Sequence, residues 1–333
     1  MELPLIVGVD GSPAGLRALD WAVDEAVRRD TPLRVVYASS WEWYEGHEPS
    51  FGTGGGDAVQ ASADQVVERA VEHARRRTAA VEVSGAVLPE DPAAALIRVS
   101  GEASMVVVGS RGRGRLAGLL LGSVSLAVAA RATAPVVVVR DAEGAANRGS
   151  GPQVVVGGAS KRGSGSQVVG DGAPKRDSGS QVGGGRGPNP DTGPQITVGV
   201  GEPGDSAAVV AFACDAAERR GATLRAVHAW RCPAHEAPAR PTPGELTDPH
   251  QRRAEEELDE ALRAPLCAHR TLTVRRDVPE GHARTALLDA ARDSDLLVVG
   301  AHRREGRPGM QLGPVSHAVL HHAACPVAVV PHG

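Results

Sequence analysis

Gly109-Ser-Arg-Gly112-Arg-Gly-Arg-Leu-Ala-Gly-Leu-Leu-Leu-Gly122-Ser123 follows directly on the short valine-rich run Met105 to Val108. A strand that empties into glycines and arginines and reaches Gly-Ser at the next helix start places backbone amides and a hydroxyl where phosphate oxygens can be wrapped. The spacing is Gly109-x2-Gly112-x9-Gly122-Ser123. It is not a P-loop, because the Gly-Lys-Ser/Thr ending of that motif occurs nowhere in the chain, so lysine-assisted phosphoryl transfer of that type has no support. A dinucleotide fingerprint, Gly112-x-Gly114-x3-Gly118, is the competing assignment. It belongs on the first strand of its unit and needs an acidic residue about twenty positions on, where Leu126 to Thr133 contains none. A glycine loop without any ligand is the remaining alternative.

Around this loop, strand and helix signals alternate. Leu5 to Val9 reads as a strand, and Ser12 caps a helix that begins at Pro13 with the apolar face Leu16, Leu19, Val23, Ala26 and Val27. Leu33 to Ala38 is a second strand, and Val59, Ala63, Val66, Val67, Ala70 and Val71 give a helical stripe before the strand Val81 to Val87. A short helix near Pro92 to Ser100, the strand at Met105, a helix from Ser123 and the strand Val136 to Val139 complete the unit. Such alternation predicts a doubly wound α/β fold, a parallel sheet covered on both faces. Ligands of these sheets sit beyond the carboxyl ends of the strands, where Asp10 and Gly109 both fall.

The unit occurs twice. Val7-Gly-Val-Asp10 returns as Val198-Gly-Val-Gly201, and the same offset carries Gly109 onto Gly300 and Pro135 onto Pro326, which predicts homologous domains over 1–140 and 194–332. Between them, residues 141–193 turn to Gly, Ser, Pro, Lys and Arg, a composition expected to be disordered. Gln153, Gln167 and Gln181 recur every fourteen residues through this linker and Gln195 follows in register as the second domain begins, each after Ser/Thr-Gly-Pro/Ser, so the linker reads as tandem copies of the segment that opens the second domain.

The 333 residues, 41% of them hydrophobic, suffice for two cores, and a formal charge of -4 gives no basic excess for nucleic acid. Cys214, Cys232, Cys267 and Cys325 have no CxxC spacing, and Met1-Glu-Leu-Pro is no secretory signal, so reduced thiols in a cytoplasm are expected. Leu116 to Val139 approaches membrane-span length but contains Arg131 and Pro135, and its later counterpart contains Arg307, His317, His321 and His322; no membrane partner is expected.

The loop spacing and its setting after a strand resemble the ATP-binding universal stress proteins, over both domains and not the linker. The resemblance implies five-stranded parallel sheets with ATP, with or without Mg, against the ends of the first and fourth strands. It further implies that Gly8 and Val9 line the adenosine pocket, that Asp10 bonds the adenosine part, and that the backbone at Ala38 meets adenine. Gly109, Arg111, Gly112, Gly122, Ser123 and Ser125 are then the ribose and phosphate residues. Glycines let the main chain approach, and the helix opened by Gly122 and Ser123 turns its first amides toward the anion. Arg111, Arg113 and Arg115 add charge, and one of them is expected to fork onto phosphate. Ser12 is the better-placed helix cap, which leaves Asp10 for the ligand.

In the second domain Asp10 is replaced by Gly201, Gly112 by Arg303 and Ser123 by Pro314, so weak or absent ATP binding is expected there. His302, Arg303, Arg304 and Arg307 read as a solvated basic loop, and His317 and His321, though spaced as a metal pair, lack an acidic or cysteine partner. The family's final strand pairs with the same strand of another domain, so Val136 to Val139 is expected against Val327 to Val330, within the chain or in a homodimer. No catalytic set is evident, which favours a regulatory ATP-binding stress protein with an unidentified protein partner. A slow ATPase or phosphotransferase using Asp10 and a divalent metal, and a ligand-free interaction scaffold, are the alternatives.

Overall fold

The computed structural model describes residues 3–39, 55–112, 121–140, 193–232, 248–302 and 312–332. The repetitive linker, Arg113, Arg115, Arg303, Arg304 and Arg307 lie outside the described residues.

The first half runs β1 (Leu5–Gly8), α1 (Pro13–Arg29), β2 (Leu33–Ala38), α2 (Gly55–Arg77), β3 (Val83–Leu88), α3 (Pro92–Val99), β4 (Met105–Gly109), α4 (Ser123–Arg131) and β5 (Val136–Val139). The second half repeats it as β6 (Gln195–Gly199), α5 (Pro203–Arg220), β7 (Thr223–Val227), α6 (Pro249–Ala268), β8 (Val274–Asp277), α7 (Ala283–Ala290), β9 (Leu296–His302), α8 (Pro314–His322) and β10 (Val327–His332). Val, Ile and Leu fill β1, β4 and β5 because both faces of a parallel strand are covered: Leu5, Ile6, Val7, Val106, Val107, Val137 and Val138 are all fully buried. At about 1.5–3 kcal/mol per large apolar side chain, these strands supply much of the favourable burial.

All ten strands join one sheet in the order β3-β2-β1-β4-β5-β10-β9-β6-β7-β8. Within each half every pairing is parallel, and the strand order reverses between β1 and β4, the switch point at which α/β sheets open a crevice. The halves meet antiparallel, Val327 beside Val138, Ala328 beside Val137 and Val329 beside Val136. The expected pair of five-stranded sheets is thus one continuous sheet. Its two apolar layers each contain residues of both halves, Val7, Ala22 and Ala213 in one and Ile6, Val128 and Val319 in the other.

Two local expectations are corrected. The buried face of α1 is Ala14, Ala18, Leu19, Ala22, Val23 and Ala26, whereas Leu16 and Val27 are exposed. Alanines let the helix lie close on the sheet, and the two larger residues sit at the margins of the stripe. The third strand begins at Val83 rather than Val81 and extends to Leu88, where it is hydrogen-bonded to β2 along Ala38. Ser12 is the N-cap of α1 as read, its Oγ accepting from Gly15 N at 3.1 Å. The run Leu116 to Val139 contains a nine-residue helix, a break and a strand, and no described helix is long and apolar enough to cross a membrane.

Candidate functional site

Gly8, Val9, Asp10, Ala38, Gly109, Arg111, Gly112, Gly122, Ser123 and Ser125 all line one cavity of about 700 Å³ at the carboxyl ends of β1, β2 and β4. Its apolar wall is Val36, Leu96, Val108 and Leu121, with Tyr37 and Ser39 at the β2 end. Sequence reasoning did not find this wall, because Leu96 and Leu121 come from a helix and a loop end that only the fold brings over β1.

Backbone closeness explains the glycines. A Cβ on Gly109 would stand 2.7 Å from the Ala14 carbonyl oxygen, so α1 can approach β4 only over a bare Cα. A Cβ on Gly112 would stand 3.0 Å from Asp10 Oδ2, which brings the returning loop against that carboxylate.

Asp10 is less free than the capping argument implied. Its Oδ1 accepts from Ser12 N at 2.9 Å, closing the turn before α1, while Oδ2 faces Gly112. Ser125 donates to the Gly109 carbonyl at 2.7 Å and is buried, so its proton is committed to pinning α4 to the end of β4. Ser316 repeats that bond to Gly300 at 2.7 Å, which marks it as part of the repeat's architecture. At the helix start, Gly122 is an N-cap with no side-chain acceptor, φ −75° and ψ 151°. The first-turn amides of α4 therefore lack the usual capping oxygen, and they and the positive end of the helix dipole suit an anion.

His321, on the last turn of α8 in the second half, also lines this cavity. Arg140, just past β5, reaches across the seam and donates to the carbonyls of Leu320 and His321, the latter at 3.0 Å. Burial holds the His321 imidazole below the ordinary histidine range, reinforced by His317, His322 and Arg140.

The corresponding cavity of the second half is about 390 Å³. Gly201 stands where Asp10 does, Glu202 and His228 enter the lining, and His332 lies over Gly300, where a Cβ would be 2.6 Å from its Nε2. Pro314 occupies the first turn of α8 and removes one amide from the donor set. Among the described residues there is no group of three or more His, Cys, Asp or Glu placed to hold a metal ion.

A doubly wound sheet, duplicated and closed edge to edge, with a glycine loop over its switch point, defines a tandem α/β protein with a cavity at the carboxyl ends of its strands. The universal stress protein family model matches residues 3–140 and 194–331. The chain is 30% identical over 328 residues to the universal stress protein Rv2005c of Mycobacterium tuberculosis, covering 98% of this chain and 96% of that one. It is also 30% identical over 366 residues to the universal stress protein Rv1996 of the same species, covering 98% and 95%. A universal stress protein structure from Archaeoglobus fulgidus superposes with a TM-score of 0.62 at 14% identity, covering 100% of both chains, which speaks for the fold. The chain belongs to the universal stress protein family.

Proposed function

We propose that the first domain binds ATP and that the protein acts as a nucleotide-dependent regulatory module in a stress response. The observation that supports this most is the convergence of the ten residues named from sequence on one 700 Å³ cavity, of a size suited to a nucleotide. Adenine fits the apolar end between Val36, Ala38 and Leu96, with ribose near Asp10 and phosphates over Gly109, Gly112 and the amides of α4. Arg111 stands at the phosphate end. With one carboxylate among the described lining residues, any Mg would be held mainly by the triphosphate and water, since that ion keeps much of its hydration. Asp10 would at most steady that hydrated ion.

The second domain, with a smaller cavity, no carboxylate at Gly201 and His332 over Gly300, contributes no equivalent nucleotide site. No nucleophile paired with a base lines the first cavity among the described residues, which favours binding over turnover. Titrating the full chain with ATP by calorimetry, with phosphate release followed on the same sample, tests the reading. One site per chain, abolished by Gly112→Arg, and turnover no faster than incidental hydrolysis are expected. Two equal sites, or none, would refute it; rapid phosphate release lost in Asp10→Asn would favour the enzyme.

A further inference from the structure

On the face of the sheet that carries α1 and α5, the two helices exchange side chains across the seam. The repeat offset pairs Trp21 with Phe212, Asp24 with Asp215, Arg28 with Arg219 and Arg29 with Arg220. The contacts cross accordingly. The Arg29 guanidinium carbon lies 5.4 Å from the Phe212 ring centroid, and that of Arg220 lies 5.6 Å from the Trp21 centroid. Arg29 also reaches Asp215 at 2.9 Å, and Arg219 donates to the Arg28 carbonyl at 3.3 Å.

The symmetry breaks at one position, Glu25, whose counterpart is Ala216. Glu25 is 1% exposed and accepts from Arg29 at 2.6 Å and from Arg220 at 2.5 Å, with Arg28 at 3.6 Å. Asp24, the other acid of that turn, is taken by Arg77 at 2.9 Å. The Arg220 side chain is 9% exposed, and burial pulls it below the ordinary guanidinium value while Glu25 opposes the fall. Four arginines, Arg28, Arg29, Arg219 and Arg220, thus surround two acids, Glu25 and Asp215.

We infer that this seam is a recognition surface on which the second domain pairs with a first domain in preference to another second domain, because the buried carboxylate that meets Arg220 is Glu25 of the first domain. Two second domains brought together would place Arg220 against Phe212 and Ala216, leaving it the partly exposed Asp215, which Arg29 meets at 2.9 Å in the observed seam, in place of the buried Glu25 carboxylate. Burying an uncompensated guanidinium is strongly unfavourable, whereas burying it against a matched carboxylate is tolerable. The occupant of the surface is therefore the α1 face of a first domain, from the same chain or from a second copy. At up to about 3.3 Å per residue, the 53 residues of segment 141–193 have contour length enough to reach either.

The test uses the full chain with a specific protease site inserted in segment 141–193, cleaved under native conditions and then diluted. Cleaved parent halves should co-elute on a sizing column at micromolar concentration, and a tag on the second domain should retain untagged first domain but no untagged second domain. Glu25→Gln keeps the shape and removes the charge, and should weaken the association at least about a hundredfold. Glu25→Ala combined with Arg220→Met removes both charges and should restore association to within about tenfold of the parent. Glu25→Gln halves that remain together to the parent's dilution limit would overturn the inference. So would second domains that capture one another, or a double variant that associates no better than Glu25→Ala alone. If Glu25→Gln fails to fold, as judged by near-UV circular dichroism before cleavage, the double variant decides by the same criterion.

Discussion

Gly122→Asp separates the two roles of the α4 N-terminus, because it should strengthen the helix and weaken the ligand at the same time. Gly122 has φ −75° and ψ 151°, an extended conformation open to any residue, and a Cβ there would meet nothing closer than the Ser110 carbonyl oxygen at 3.6 Å. The fold can therefore take the side chain. Aspartate is among the best N-cap residues and is worth a few tenths of a kcal/mol over glycine, with up to about 1 kcal/mol more from the dipole. Thermal unfolding should move up by about 1–3 °C.

For the nucleotide the sign reverses. A carboxylate about 5 Å from a phosphate charge, at an effective dielectric near 20, repels it by about 3 kcal/mol, and screening by salt reduces this toward half. The new side chain also takes an amide that would otherwise face the anion. ATP affinity should fall by about tenfold to a hundredfold in calorimetry of the full chain. Gly122→Ala, which adds the Cβ without charge, should stay within about threefold of the parent. A Gly122→Asp protein with raised melting temperature and undiminished ATP affinity would refute the assignment of the phosphate end.

Three further outcomes are expected. Asp30 caps α1 in the left-handed region at φ 51°, with its N–H on the Ala26 and Val27 carbonyls, where the repeat has Gly221 at φ 57°; Asp30→Gly should add about 0.5–1 kcal/mol in denaturant unfolding, and a loss would mean the aspartate side chain is itself needed. Burial pushes the Cys214 thiol up to about 11 and Cys325 up to about 12, so at pH 8 both should stay protonated and unlabelled until unfolding while exposed Cys267 reacts; native labelling of all four at one rate would contradict this. Because the folded protein holds His321 below its unfolded value, the unfolded chain binds the extra proton first and stability falls as pH drops through about 6.5. His321→Gln should flatten the difference in melting temperature between pH 7.5 and 5.5, and an unchanged slope would show that other groups, His317 or His322 among them, carry it.

The strands were legible because both-face burial demands unbroken apolar runs, and Val136 to Val139 or Met105 to Val108 admit few other readings. The face of α1 was less so. A hydrophobicity stripe weights Leu16 and Val27 above alanine, but the sheet selects small residues at the closest approach, and Ala18, Ala22 and Ala26 occupy it. The ten residues named by spacing and resemblance line one cavity, yet its apolar wall and what those residues hold were not legible. Asp10 bonding Ser12, and Ser125 bonding Gly109, depend on how a turn closes and how a helix leans on a strand. His321 and Glu25 were beyond sequence reasoning for one shared reason: each acts across the seam, and a lone histidine or a glutamate in an amphipathic helix reads as a solvated surface group until the opposing domain is in place.

That seam also decides how the binding proposal can be tested. β5 is four valines, none more than 6% exposed, and β10 covers its outer edge with the register Val138 to Val327. Remove the second domain, and an apolar strand with unpaired amides and carbonyls faces water, a template for aggregation or for pairing with a second copy. Arg140 would lose the carbonyls of Leu320 and His321, and Glu25 would keep two arginines but lose Arg220. The cavity would lose the His321 part of its lining. An isolated first domain that failed to bind ATP would thus report a damaged edge as readily as a wrong site, whereas point substitutions in the intact chain change the loop and leave the ten-stranded sheet closed.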